Sequence, residues 1–379
     1  MSIATGSRKA WSELLALLAE IDERWAGPEW NLQSADEIAL AHRALAHILE
    51  GGLTGTFEGD PGRPLFRQIV TPTRKFTGDN SDAIYFDAPI SARHRYVVRG
   101  EMRGAVYVSM TIEIGSELGD MPTRTGGVLN DDDFDVDSEG RFEIHLGGEP
   151  RARNWLALPE GASRITTRHY FEEEQPAAAD PWRVPRMSIS ALDAGPPPAT
   201  PCDESVAAGL RRVARFVRSR TLDQPSMADA EVPPFVSKLP NRFPQPVRPG
   251  DFGLAAFDAA YSMAPYLIGP EHALVMTGRW PRCRFANVCL WTRHQQTYDF
   301  ANRRVSLNRK QTQLEPDGSF RMVLAHRDPG VPNWIDTEGR PFGIVFWRFM
   351  LHEGEIETPR AELVPFADVA SPGGAQSSR

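Results

Sequence analysis

The stretch "EGRFEIHLGGEPRARNWLAL", Glu139 to Leu158, has a second version in the same chain, "DGSFRMVLAHRDPGVPNWIDT", Asp317 to Thr337. Each version opens on an acidic-Gly turn and runs into a strand-like alternation. Each then reaches a proline (Pro150, Pro329) and, four residues later, an Asn-Trp pair followed by an aliphatic residue. Working outward, "HRYVVRG" (His94 to Gly100) aligns with "HALVMTG" (His272 to Gly278) at an offset of 178 residues. Leu129-Asn130 matches Leu307-Asn308, and Glu139 to Leu146 matches Asp317 to Leu324, at that same offset. One inserted residue raises it to 179 at the prolines and the Asn-Trp pairs, which sets "RHYF" (Arg168 to Phe171) opposite "WRFM" (Trp347 to Met350). A register held this long through a single insertion means an internal duplication, a pair of β meanders rather than a solenoid array. Two such sheets pack about a pseudo-twofold axis or lie side by side as tandem sandwiches.

Periodicity agrees. In "AVYVSMTIEI", Val106, Val108, Met110, Ile112 and Ile114 alternate with their neighbours, which reads as a half-buried strand. "RFEIHL" and "SRITTRHYF" read as further strands, separated by the glycine, proline and acidic turns of an antiparallel sheet. The first 55 residues differ. Trp11, Leu14, Leu15, Leu18 and Ile21 fall on one helical face. A second helix opens on a Ser34–Glu37 capping box, carries Ile38, Leu45 and Leu49, and is expected to stop at Gly51-Gly52. After Phe171, "EEEQPAAADPW" and "DAGPPPATPCDES" read as linkers. They flank a short helix between Asp203 and Arg220, with Val206, Leu210, Val213 and Val217 inward and a solvated face of Arg211, Arg215 and Arg218. A short helix is expected around Leu254 to Met263, and "SPGGAQSSR" reads as disordered. The expected fold class is mainly β, α+β overall: two repeated antiparallel β-sandwich-like domains with an N-terminal helical segment and a helix-containing linker. The expected spans are 1–55 (helical), 56–175 (first β repeat), 176–250 (Pro-rich linker), 251–366 (second β repeat) and 367–379 (tail).

The totals narrow the function classes. A length of 379 residues suits more than one core. A net charge of -8 argues against a general nucleic-acid binder and against an anionic membrane surface. No apolar run approaches the roughly 18 residues of a spanning helix, and Glu13, Glu20 and Asp22 interrupt the early leucines. Cys202, Cys283 and Cys289 are too few and too uneven for a disulfide framework, so a reducing, cytoplasmic setting is expected.

The segments "GDNSDAIYFDAPI", "DSEGRFEIHLGGEPRARNWLALPEGASRITTRHYF" and "DPGVPNWIDTEGRPFGIVFWRFM" resemble the bacterial domain-of-unknown-function family 1214. Its members have a similar Asp-Asn-x-Asp start, an Asp-Gly-x-Phe turn, Asn-Trp-Leu and an Arg-x-Tyr-Phe strand. The resemblance covers roughly Gly78 to Phe171 and Leu274 to Met350, with Glu139 standing where the family's turn has aspartate. It implies a mostly β fold and brings no reaction with it.

Motifs for phosphate cradles, nucleophile elbows, His-Glu-x-x-His zinc sites and dinucleotide fingerprints are missing. The loop Asp131 to Asp137 reads as a solvated acidic turn, with calcium as the alternative. No histidine pair has metal spacing, so neither a metal nor a cofactor is expected. Two groups are left as acid–base candidates: His169 with Arg168 and Tyr170, and His294 with Tyr298 and Asp299. By alternation Arg168 and Tyr170 share one strand face and His169 and Phe171 the other. Asn154, Trp155, Asn333 and Trp334 read first as structural plugs at the sandwich ends. Their alternative role, with Trp291, is to line a pocket for a flat ligand. The reading that follows is an enzyme using side chains alone on a small apolar or aromatic molecule, a lyase, isomerase or hydrolase of aromatic-compound catabolism. A non-catalytic binder of small molecules or sugars is the alternative.

Overall fold

The structure is a computed structural model and describes residues 3–226, 230–251 and 253–370. The first repeat contributes β1 (Arg67–Gln68), β2 (Ala83–Pro89), β3 (Tyr96–Glu101), β4 (Tyr107–Ile114), β5 (Arg124–Asn130), β6 (Arg141–Leu146), β7 (Trp155–Leu156), β8 (Ala162–Tyr170) and β9 (Ser188–Ala191). The second contributes β10 (Ala259–Leu267), β11 (His272–Gly278), β12 (Phe285–Trp291), β13 (Ser306–Asn308), β14 (Phe320–Ala325), β15 (Trp334–Asp336), β16 (Phe342–Met350) and β17 (Arg360–Pro365). The sheets are ordered β1-β2-β8-β4-β5 and β7-β6-β3-β9 in the first repeat, β10-β16-β12-β13 and β15-β14-β11-β17 in the second. Strand for strand, β2 to β9 have the order of β10 to β17. Even the parallel pair β6·β7 recurs as β14·β15. The duplication is therefore written in the topology, and the mainly β class with two sandwich-like units holds.

Each repeat encloses its own core, with Val98, Met110, Ile144 and Ile165 in one and Leu274, Val288, Met322 and Trp347 in the other. The sheets β1-β2-β8-β4-β5 and β10-β16-β12-β13 also turn their outer faces toward each other. There Tyr85, Tyr107 and Tyr170 join Phe285, Trp291, Phe346 and Met350 in a third cluster. This cluster is closed by α1 (Gly6–Arg24), α2 (Ala35–Thr56) and α3 (Asp203–Ser219). The layering corrects the half-buried reading of β4. All eight of its residues are buried, because both faces of its sheet are covered. Among the described residues no helix is long and apolar enough to cross a membrane.

Other expectations shift for local reasons. α2 does not stop at Gly51-Gly52 but runs through them to Thr56. A Cβ on Gly52 would lie 3.2 Å from the Phe216 ring, so these glycines allow α2 and α3 to pack closely. Trp11 and Leu15 are about half exposed, and the buried face of α1 is Ala10, Leu14, Leu17 and Ile21. The helix expected around Leu254 to Met263 is replaced by the start of β10. Within the stretch expected as linker, Ser188–Ala191 forms edge strand β9 on β3. The tail expected to be disordered lies outside the described residues from 371 onward. Tyr170 pairs with Ala83 and Tyr107, as Met350 pairs with Ala259 and Phe285. A second inserted residue has therefore raised the offset to 180, and Arg168 corresponds to Arg348 rather than to Trp347.

The repeats are joined by a buried polar seam. Gly78 to Asp82, just before β2, lies against the second repeat. Asn80 and Asn287 exchange amide hydrogen bonds at 3.1 and 2.8 Å. Asn287 also donates to Asp82 at 2.8 Å, and Asn308 donates to it at 3.2 Å. Asp79 accepts from the Thr297 backbone and hydroxyl at 2.7 and 2.6 Å.

The Asn-Trp pairs act within their own repeats. Asn154 and Asn333 both have left-handed backbone, φ 56 and 57, which asparagine tolerates. The Asn333 amide donates to the Gln313 and Arg321 carbonyls at 2.7 and 3.0 Å and accepts from Gln313 N at 2.8 Å. Asn154 donates to the Glu143 carbonyl and accepts from Asp135 N. The indoles of Trp155 and Trp334 donate to Gly147 and Ala325 carbonyls. Asn333→Ala removes three bonds from a buried turn and puts alanine at positive φ. It should lower stability by about 2–4 kcal/mol in urea unfolding, and more than Asn154→Ala does; equal, negligible losses would refute the structural role.

Candidate functional site

Between the facing sheets and α3 lies a cavity of about 620 Å³. Strand alternation decides what reaches it. On β8, Arg164, Thr166, Arg168 and Tyr170 point to the cavity, while Ile165 and His169 point into the first sandwich. On β16, Phe346 and Arg348 face it, while Trp347 and Phe349 belong to the second core. Tyr85, Tyr261 and Trp291 complete the inner wall. Although the chain carries a net charge of -8, this wall holds five arginines against Asp79, Asp87 and Glu231.

The arginines differ in how they are neutralised. Arg67 grips Asp87 through two bonds of 3.0 and 2.9 Å, and Arg164 binds the same carboxylate. Burial pushes Asp87 up, but the two guanidiniums outweigh it and hold the carboxyl below its ordinary value. Arg168 sits 3.7 Å from the buried Glu113, donates to Thr111 Oγ1 at 2.5 Å, and donates to the Leu254 carbonyl at 3.0 Å. Burial raises Glu113, and Arg168 only partly opposes this.

Arg348 is different. The residue is 4% exposed, and its hydrogen bond is one long contact of 3.4 Å from Nη2 to the Gly78 carbonyl. Nε and Nη1 have no partner, and no carboxylate lies within 4 Å among the described residues. Its other company is aromatic: Phe346, Tyr261 and Tyr170, with ring centres 4.9, 5.6 and 5.8 Å away. The duplication explains the difference. Where the first repeat has Glu113, Thr111 and Thr166 around Arg168, the second has Trp291, Cys289 and Phe346 around Arg348. Trp291 stacks on Phe346 at 4.1 Å and donates to the Asp79 carbonyl at 2.9 Å. The second repeat has kept the cation and exchanged its counter-ion for a flat apolar wall.

Tyr85 and Tyr261 are repeat equivalents, paired across the ladder with Arg168 and Arg348. The Tyr85 hydroxyl is buried without a hydrogen-bond partner. Burial first, and then neighbouring Tyr170, pushes it well above its ordinary value, and burial also raises Tyr261. Both stay protonated at neutral pH and are therefore hydrogen-bond donors. A guanidinium beside phenolic O–H groups, in a low-dielectric wall, is an anion receptor.

Of the residues singled out from the sequence, Arg168, Tyr170 and Trp291 meet at this cavity. His169 does not: it is fully buried between Phe86 and Phe142 with neither ring nitrogen bonded, and burial pushes it down to about 3. His294 lies between Trp25 and Trp30 under the helices and is pushed down to about 4 by burial. Tyr298 bonds Tyr266 at 2.8 Å inside the second core, and Asp299 caps its own turn through Ala301 and Asn302. Asn154, Trp155, Asn333 and Trp334 line other turns, as described above. The acidic loop is engaged by arginines: Arg284 binds Asp131 and Asp132 across the repeats, Arg153 binds Asp135, and Arg141 binds Asp137. Among the described residues no group of three His, Cys, Asp or Glu side chains is placed to hold a metal. Arg348, Tyr85 and Tyr261 were not singled out from the sequence. Their signal was the repeat itself, an arginine kept at equivalent positions while its acid was exchanged for tryptophan.

The buried histidines have a consequence for acid stability. The unfolded chain takes a proton at His169 near pH 6.5, whereas the folded chain resists until about 3. Between those values the unfolded state binds more protons, so stability falls as pH drops, by up to ~1.4 kcal/mol per pH unit per group. Above 6.5 this group contributes no slope. His169→Phe installs the residue the second repeat has at that position, Phe349. It should remove one proton's worth of slope from unfolding measured between about pH 4 and 6; an unchanged slope would mean His169 titrates freely in the fold.

Comparison with known proteins places these observations. Residues 269–350 match the family described as "Protein of unknown function (DUF1214)". No curated protein matches the chain. The crystal structure of an uncharacterized protein from Burkholderia cenocepacia is similar, with 24% identity, 95% of this chain and 98% of that one covered, and a TM-score of 0.81. The VPA0106 protein from Vibrio parahaemolyticus is more distant, with 14% identity, 76% and 90% covered, and a TM-score of 0.47. The chain is thus a duplicated β protein that resembles DUF1214, its second repeat matching that family and its fold being shared with the Burkholderia protein.

Proposed function

We propose that this protein takes up a small anionic molecule with a flat apolar body in the cavity between its repeats. The carrying observation is Arg348, a buried guanidinium with two unpaired nitrogens and no carboxylate within 4 Å among the described residues. An uncompensated buried charge costs several kcal/mol, so a chain that keeps one beside an exchanged counter-ion is holding a place for a ligand's charge. The cavity volume falls in the ordinary range for small-molecule sites. In this reading a carboxylate takes two parallel bonds from Arg348 and a third from a tyrosine hydroxyl, while the stacked Trp291–Phe346 pair covers the ligand's flat face. The ligand class narrows from apolar or aromatic molecules in general to those that carry an anion. A reducing, cytoplasmic setting accords with three unpaired cysteines.

A catalytic reading rests on different residues of the same wall. Asp79 is buried and its carboxyl is raised by burial, opposed by Lys75, by its bonds from Thr297 and by the charge of Arg348. It lines the cavity together with Tyr170, and in this reading the two would share the acid–base roles of a lyase or isomerase step without a cofactor. Asp79→Asn would then abolish turnover while leaving binding measurable.

The primary reading is tested with Arg348→Met and calorimetric titration of benzoate, benzamide and neutral sugars. Benzoate should bind the natural chain, benzamide at least ~10-fold more weakly, and the variant should lose benzoate by about 30-fold or more. Because the substitution removes an unpaired buried charge, unfolding should show unchanged or higher stability. Equal affinity for benzoate and benzamide, or saturable sugar binding alone, would sink this reading.

A further inference from the structure

Arg348 is not alone in the cavity in having no carboxylate within 4 Å among the described residues. Arg220, the residue that caps the C-terminus of α3, lines the opposite, helical side of the same space. Its guanidinium lies over the Phe76 ring at 5.4 Å, its Nε has no partner, and no carboxylate is within 4 Å among the described residues. The other arginines of α3 are all engaged. Arg211 pairs with Glu13, Arg215 with Asp120, and Arg218 with Glu20 and Asp223, while Arg212 donates to the Thr56 and Phe57 carbonyls. Arg220 is thus singular on its helix in the way that Arg348 is singular on its sheet.

Resting on the anion reading of this cavity, we propose that its ligand is a dianion, a rigid molecule with two carboxylates or equivalent acidic groups, held by Arg348 at one end and Arg220 at the other. The wall that both cations border is aromatic, with Phe76, Phe216, Trp291 and Phe346, so the spacer between the charges is flat and apolar. Each guanidinium has an unbonded nitrogen, and a single anion can serve only one of them, so two anions complete both. Burial alone pushes Arg220 down to about 10, with no acid opposing it. A dianion would also tie α3, which belongs to neither sandwich, to the second repeat's central strand.

The test uses the full chain and compares benzoate with terephthalate and isophthalate by calorimetry, in the natural protein and in Arg220→Gln, Arg220→Lys and Arg348→Gln. The natural protein should bind at least one dicarboxylate ~10-fold or more tighter than benzoate. Arg220→Gln should collapse that ratio to about one, Arg220→Lys should restore part of it, and Arg348→Gln should weaken mono- and dicarboxylates alike. Unfolding midpoints verify that each variant is folded, and the lysine variant keeps the test decisive should the glutamine variant not be. Benzoate bound as tightly as both dicarboxylates, or a ratio indifferent to Arg220, overturns the dianion while leaving the anion site standing. No arylcarboxylate bound at all overturns both.

Discussion

The side-chain amide of Asn287 is the tie on which the rest of the molecule depends. It sits on a central strand of the second repeat, out of water, and bonds Asn80 and Asp82 from the approach to the first repeat's leading strand. Around it Asp79, Ser81, Ser306 and Asn308 are likewise buried and bonded across the same boundary. Apolar faces alone would let two sheets slide. A buried polar group left unpaired costs about 1–3 kcal/mol, so a seam of several admits one register. That register brings the arginine and tyrosine rows of both repeats to the walls of one cavity.

Duplication then allowed the two halves to diverge in what their equivalent arginines do. Arg168 is built into the fold by Glu113, Thr111 and a backbone carbonyl. Arg348 keeps the place and loses the partners, because tryptophan and cysteine stand where the acid and the hydroxyl were. One copy supplies rigidity; the other keeps a charge whose solvation the protein does not complete. A strained or unsatisfied group of this kind lowers stability and persists where function uses it. The same logic separates Arg220 from the other arginines of its helix, which pair with acids or, in the case of Arg212, donate to backbone carbonyls.

Much of this was legible beforehand. The offset of the repeats, the sandwich class and the helical opening all followed from spacing and period, since a β period and a turn chemistry are local properties. Alternation also put Arg168 and Tyr170 on one face and His169 on the other. It could not say which face was the cavity and which the core. His169 looked like the chemical residue because histidine titrates near neutrality. Placed between Phe86 and Phe142, it is too poorly solvated to take a proton. Gly51 and Gly52 looked like a helix stop for a similar reason: the same absence of a side chain that ends a helix also lets two helices touch.

By itself the sequence determined two copies of one meander, the period of several of their strands, and which side chains share a strand face, because backbone sterics and nearest-neighbour patterning set these. Only the tertiary structure decided that the copies meet through the sheets that hold β8 and β16 and that a linker helix closes the gap. It alone showed that Arg348 and Arg220 have no carboxylate within 4 Å among the described residues. Whether a charge is paired depends on atoms brought together from distant parts of the chain, and no local pattern carries that distance.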